Sequence, residues 1–418
     1  GEAQPVDYAR AVADGAVLAL MATLGLLQLG HETTPELGQL CATALYTYGL
    51  AAAPYRPRLS RLAVLAALPL LAGSGAPTMA MAAGAGGLVV CALSRYAQVR
   101  AFTLWVAVAM SAAALVAMLL GAWRWRAHGL GPGDVAPLAR QWLWFLWPAW
   151  PLALWTLWRW RRQLSHRHLS VPLVAVVVAL GANVAMTGSD RALLLGLPGM
   201  AVLAAFALPT LKRSAAAAID WFSMCFFTAC AITIWVVYAS LQTGVPAKPA
   251  ANVAKLAPGF VGQFSVLALA LALAGTLAWV WLVRWRTGRH REALWKSLVL
   301  PASGVALCWL LLMTLWLPLL DYARSPRPWV QRVASMVPPG ACIAGATLAP
   351  AAVAALEHFG RWRVDASATA ADGPCAWQLR VTRVRPLPAT PAGWTLVGEA
   401  LRPTDRDEVT QVFSRTTP

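Results

Sequence analysis

Eleven apolar runs recur in this chain, most of them near the length that crosses hydrocarbon: about 12–30, 36–53, 62–77, 79–94, 101–122, 141–158, 170–187, 192–210, 217–241, 260–283 and 297–320. A helix needs roughly 20 residues, at about 1.5 Å each, to span about 30 Å of hydrocarbon. Within hydrocarbon the backbone must satisfy its own hydrogen bonds, so such runs predict helices. Composition points the same way. Hydrophobic residues make up 59% and charged residues 12%, about half the usual charged share of a soluble domain. Many of the 22 Trp lie near the ends of these runs, as interface anchors do. The expected fold is an all-α polytopic membrane domain of about eleven transmembrane helices. The third and fourth runs are short and are split by "GSGAPT", so they fit either two spans or one re-entrant hairpin.

Arg and Lys set the expected orientation. One alternate set of loops, including "PYRPRLSR" and "RWRRQLSHRH", holds sixteen of them. The opposite set, including "HETTPE", "TGSDR" and "VPAKPAANVAK", holds six. The first set is therefore assigned to the cytoplasm and the second to the outside. The formal charge of +17 sits largely in these short loops. It reads as a topology signal and a lipid contact, not as a nucleic-acid surface. From Asp321 the sequence turns mixed and polar. "SPRPWVQRVASMVPPG" reads as a short helix, "ACIAGA" as a strand and "LAPAAVAALEHFG" as a helix ending at Gly360. "RWRVDA", "CAWQLRV", "WTLVGEAL" and "EVTQVFSR" read as strands. The division is then 1–320, transmembrane, and 321–418, a small external α/β domain.

Three outer segments hold candidate site residues. In "HETTPE", Pro35 suits a first helical turn, Thr34 can cap it, and Glu36 meets the helix dipole. His31, Glu32 and Glu36 are either solvated residues at a helix start or the lining of an outward polar cavity. Such a cavity would take a divalent metal ion or a ligand's amino or hydroxyl group. In "TGSDR", Arg191 either pairs with Asp190 alone or binds a lipid phosphate. Lys248 and Lys255 are either part of a solvated loop or a cationic rim over an anionic headgroup. Of seven Cys, five lie in apolar runs. Cys342 and Cys375 lie in the external domain, where an oxidising compartment permits a disulfide. No CxxC, nucleophile elbow, phosphate-binding glycine loop or zinc-protease helix is present.

The segments "GHETTPELGQL", "SDRALLLGLPGMAVLAAFALPTLKR", "DWFSMCFFTACAITIWVVYASLQTGVPAKPAANVAKLAPGF" and "LLDYARSPRPWVQRVASMVPPGACI" carry a resemblance. The chain resembles the GT-C superfamily of lipid-linked-sugar glycosyltransferases, in the bacterial branch of the lipid A aminoarabinose transferase and the protein O-mannosyltransferases. The resemblance implies transfer of a sugar from a polyprenyl-phosphate donor to a lipid A-like glycolipid, a glycan or a protein. The expected place is the periplasmic face of a bacterial inner membrane, with the C-terminal domain in the periplasm. It implies Glu36, Glu32 and His31 at the headgroup or a divalent ion, and Asp190, Arg191, Lys248 and Lys255 at the donor. Family members begin with a helix and a long outer loop bearing an acidic motif. This chain opens on Gly1 and has no such loop before residue 12, so the expectation is an N-terminally truncated piece, inactive alone, of a longer enzyme. "RALLLGLPG" also departs from relatives with Tyr before Leu-Pro. The alternative is a polytopic transporter or lipid flippase. That class predicts internal pseudo-symmetry and charges near the midplane of several spans, and the sequence displays neither.

Overall fold

A computed structural model of the chain describes residues 4–31, 33–123, 131–288, 297–367, 373–383, 389–402, 404 and 408–416. It is mostly helical, with a small sheet at the C-terminal end. The helices are α1 Pro5–Ala22, α2 Leu24–Leu29, α3 Pro35–Ala52, α4 Pro57–Gly73, α5 Pro77–Ala92, α6 Ala97–Ala101, α7 Thr103–Leu119, α8 Val135–Phe145, α9 Ala149–Arg159 and α10 Arg167–Ala185. They continue with α11 Asp190–Leu194, α12 Leu197–Ala205, α13 Arg213–Thr243, α14 Ala247–Leu256, α15 Val266–Thr287, α16 Val299–Leu315, α17 Leu317–Arg324, α18 Arg327–Ala334 and α19 Pro350–Gly360. The strands are β1 Cys342–Ala344, β2 Arg363–Asp365, β3 Trp377–Arg383, β4 Trp394–Leu401 and β5 Glu408–Arg415.

Among the described residues, four helices are long and apolar enough to cross a membrane: Ala97–Leu119, Arg167–Ala185, Ser214–Thr243 and Val266–Thr287. A fifth arises if α16 and α17, bent by 75°, form one span. This falls short of the eleven apolar runs. The run at 12–30 breaks at Thr23, which is extended and follows α1. The run at 141–158 breaks at Trp147–Pro148, between α8 and α9. The run at 192–210 divides at Gly196. The runs at 62–77 and 79–94 become the 17-residue α4 and 16-residue α5, each short of the usual spanning length.

The chain forms two compact units. The first comprises Gly1–Cys230 and Gly275–Trp309, and the second Ala231–Ala274 and Leu310–Pro418. In the first, α3, α4, α5 and α7 enclose a core containing Tyr46, Leu68, Leu71 and Val106. Helix α7 shows how an almost wholly apolar helix is used. Ala109, Ala113 and Ala117 recur every four residues and are buried, while Leu104, Val108, Leu115 and Leu119 on other faces are exposed. Small residues let helices approach closely, and the larger apolar side chains suit a hydrocarbon solvent. A second core in this unit, containing Leu193, Leu197, Leu203 and Leu298, joins α9, α11 and α12. Arg167 is buried and donates to Leu50 O and Ala51 O, both at 2.8 Å. It thereby satisfies carbonyls that the end of α3 leaves open.

In the second unit the sheet order is β2-β1-β3-β5-β4. Strand β1 is parallel to β2 and β3, whereas β3, β5 and β4 are antiparallel. Helices α18 and α19 contribute Trp329, Val333 and Leu356 to a core shared with Leu379 and Val412. Trp329 Nε1 donates to Thr410 Oγ1 at 2.9 Å. Cys342 and Cys375 are joined as a disulfide.

Candidate functional site

The polar cluster of the first unit is assembled from five helices, α2, α3, α8, α10 and α11. Helix α3 begins at Pro35, with Thr34 extended before it. The expected side-chain cap from Thr34 is absent. Glu36 lies in the first turn and is turned inward, with its side chain 17% exposed. Arg191, on α11, donates from Nη1 to Glu36 Oε1 at 3.0 Å. Glu36 Oε2 is buried without a hydrogen-bond partner among the described residues. Burial pushes the Glu36 carboxyl up. The Thr34 hydroxyl, its own backbone amide and the Arg191 guanidinium outweigh that and hold it below its ordinary value.

Asp190 is held differently. Its Oδ2 accepts from Gln28 Nε2 at 3.3 Å, and its Oδ1 accepts from Gln141 Nε2. Gln28 comes from α2 and Gln141 from α8. Gln141 also donates to Gly188 O at 2.6 Å. Asn183, fully buried on α10, donates to Gln141 Oε1 at 3.1 Å and Ser189 O at 3.0 Å, and accepts from Trp142 Nε1 at 2.7 Å. The turn from α10 into α11 passes through Thr187 and Gly188, both at positive φ. Gly188, at φ 88°, takes a backbone conformation that most residues avoid. The neighbouring residues Asp190 and Arg191 are therefore engaged by separate partners, the amides and Glu36.

His31 follows α2, with its ring 4.6 Å from the ring of Trp309. Glu32 lies outside the described residues. Lys248 and Lys255 sit on α14 in the second unit. Glu36, Asp190 and Arg191, conspicuous in the sequence, are gathered in this unit, and Gln28, Gln141, Trp142 and Asn183, which are not conspicuous there, complete the cluster. The available signal was Asn183, an amide inside an otherwise apolar run, where polar groups seek partners. Among the described residues, no group of three or more His, Cys, Asp or Glu gathers to hold a metal ion.

An apolar cavity of about 560 Å³ lies in the same unit. Its walls include Leu24, Leu143, Trp144, Trp147, Phe222 and Phe226. Helices α2 and α8 serve both features. Leu24 and Gln28 are one helical turn apart on α2, and α8 supplies both Gln141 and Leu143. Asp220 and Arg286, also in this unit, form an ion pair at 2.5 Å between α13 and α15, which the loop-centred sequence reading did not anticipate. No family model, curated protein or solved structure matches the chain.

Proposed function

We propose that this chain acts as a GT-C-like glycosyltransferase that uses a polyprenyl-phosphate sugar donor in a bacterial inner membrane. The observation that carries the reading is the sharing of α2 and α8 between a carboxylate–guanidinium–amide cluster and an apolar cavity. A donor of this class has the same two-part chemistry, a charged sugar-phosphate head on a hydrocarbon tail. Arg191, 55% exposed on its side chain, offers a guanidinium matched to phosphate oxygens. Glu36 Oε2 and the Asp190 carboxylate offer acceptors for sugar hydroxyl or amino groups. In single displacement at the anomeric carbon the polyprenyl phosphate leaves with the bonding electron pair. Cationic stabilisation there acts where negative charge develops. In this reading the apolar runs beyond the long helices complete a polytopic bundle of about eleven segments, and the sheet domain faces the periplasm.

The test is binding, which does not require turnover by this chain. Polyprenyl monophosphate titrated into phosphatidylcholine nanodiscs carrying the chain should bind saturably. Arg191→Ala should weaken that binding about tenfold, equivalent to about 1.4 kcal/mol. Asp190→Asn should spare binding of this sugar-free probe. Absence of saturable binding, or equal affinity in wild type and Arg191→Ala, overturns the reading.

A further inference from the structure

Between the two membrane-length helices α13 and α15 the chain runs through residues 244–265, with α14 inside this connection. The segment is built into the second unit. The Ser240 hydroxyl of α13 accepts from Ala250 N at 2.9 Å and donates to Pro246 O. Gln242 Nε2 donates to Gln263 O at 3.2 Å. Tyr322, on α17, donates from its hydroxyl to Pro258 O at 2.7 Å and packs its ring 5.7 Å from Phe260. Backbone and anchoring side chains are therefore engaged, yet α14 buries no residue.

What remains outside is apolar and cationic. Val245, Leu256, Val261 and Phe264 are 72%, 68%, 79% and 61% exposed. They are followed by exposed Val266 and Leu267 at the start of α15. Residues 244–265 contain two Lys and no Asp or Glu. Lys248 and Lys255 are seven residues apart on α14, two turns, and so share one face. A connection bracketed by membrane-length helices, with large apolar side chains exposed and only positive charge, matches the physics of the headgroup layer. Apolar side chains enter the acyl boundary there, while lysine stems extend along it with their ammonium groups at phosphate level.

We infer that residues 244–265 form an interfacial platform for anionic phospholipid of the surrounding bilayer. Leu256, Val261 and Phe264 enter the acyl boundary, and Lys248 and Lys255 hold headgroup phosphates. This assignment stands apart from the transferase reading, because it concerns bilayer lipid and the second unit. It also commits the two lysines to bulk lipid in preference to a donor.

Photocrosslinking in the full chain tests it. With p-benzoylphenylalanine placed at Phe264, protein in nanodiscs of equal phosphatidylglycerol and phosphatidylcholine should gain the mass of one phospholipid. Phosphatidylglycerol adducts should exceed phosphatidylcholine adducts at least threefold. That preference should vanish in the Lys248→Glu, Lys255→Glu double variant, while total lipid adduct persists. The same probe at Glu357 on α19, an exposed residue of the sheet domain, sets the background. Lipid adduct at Phe264 no higher than this background overturns the platform, as does crosslinking to polypeptide alone. Equal yields of the two lipids, or a preference unchanged in the double variant, overturn the phosphate assignment. Displacement of the phosphatidylglycerol adduct by low-micromolar polyprenyl phosphate also overturns it, returning the lysines to donor binding. Polyprenyl phosphate binding that depends on Arg191 is read separately, so either proposal can fail alone.

Discussion

Asn183 is fully buried, and three groups depend on it: Trp142 Nε1, Gln141 Oε1 and Ser189 O. Asn183→Leu fills similar space but leaves all three unsatisfied, at about 1–3 kcal/mol for each buried group that water cannot reach. The expected outcome is a thermal midpoint several degrees lower in detergent, together with weaker restraint of Asp190 through Gln141. Glu36 gives a pH prediction. Its folded-state carboxyl is depressed. The stability from its pair with Arg191 is therefore present above the unfolded value near pH 4.3 and lost as pH falls through the depressed folded value. Arg191 is more than half exposed, so solvent screening limits the pair to about 0.5 kcal/mol. Thermal midpoints of wild type and Glu36→Gln should differ slightly at pH 7 and converge as pH falls through the depressed folded-state value. At this scale, charge was legible in the sequence: Glu36, Asp190 and Arg191 stood out against apolar surroundings. The amides did not. Gln28 and Gln141 sit near run ends, where polar residues are ordinary, and only the fold reveals that both turn to one carboxylate.

Helices α2 and α8 approach at Gly25. A Cβ there would lie 2.3 Å from the Phe145 ring, so even Gly25→Ala must move one helix or the ring. Gly25→Leu should separate Gln28 from Asp190 and lower stability by about 1–3 kcal/mol, read as earlier loss of monodisperse protein on heating. Gly188→Val places a β-branched residue at φ 88°, a left-handed conformation disfavoured by about 1–2 kcal/mol even for an unbranched side chain. In the sheet domain the disulfide closes a separation of 33 residues, for which chain-entropy arguments give about 3–4 kcal/mol. Cys342→Ser with Cys375→Ser should make residues 321–418 markedly more protease-sensitive. The strands were legible as elements: the runs read as β4 and β5 coincide with Trp394–Leu401 and Glu408–Arg415. Both are runs rich in β-branched and aromatic residues bounded by Pro, Gly and Asp, which is what marks strand ends. Breaks inside apolar runs were poorly legible. Hydropathy varies little across Thr23 or Gly196, so it carries length but not the point where the backbone turns.

For the molecule as a whole, membrane character was legible in composition because solvent preference is a sum over residues. Span number was not, since it depends on where each helix stops and on packing that a run of Ala and Leu leaves open. The sixteen-to-six distribution of Arg and Lys between alternate loops predicts sidedness. A reporter joined after Pro418 should be active if it is an alkaline phosphatase and dark if it is a cytoplasmically folding fluorescent protein. The reverse pattern would invert the proposed orientation. The two units also predict different responses to reductant. Reduction should loosen the unit containing the sheet while sparing the Asp190 network, whose contacts involve no sulfur.

The dual use of α2 and α8 carries one further consequence. The six residues of α2 place Leu24 and Gln28 a single turn apart. In the proposed transferase, a tail filling the chamber beside Leu24 would lie one helical turn from the contact of Gln28 with Asp190. A guest's length and saturation, far from any charge, would then be felt at the opposite tip, where Gln28 meets that acid.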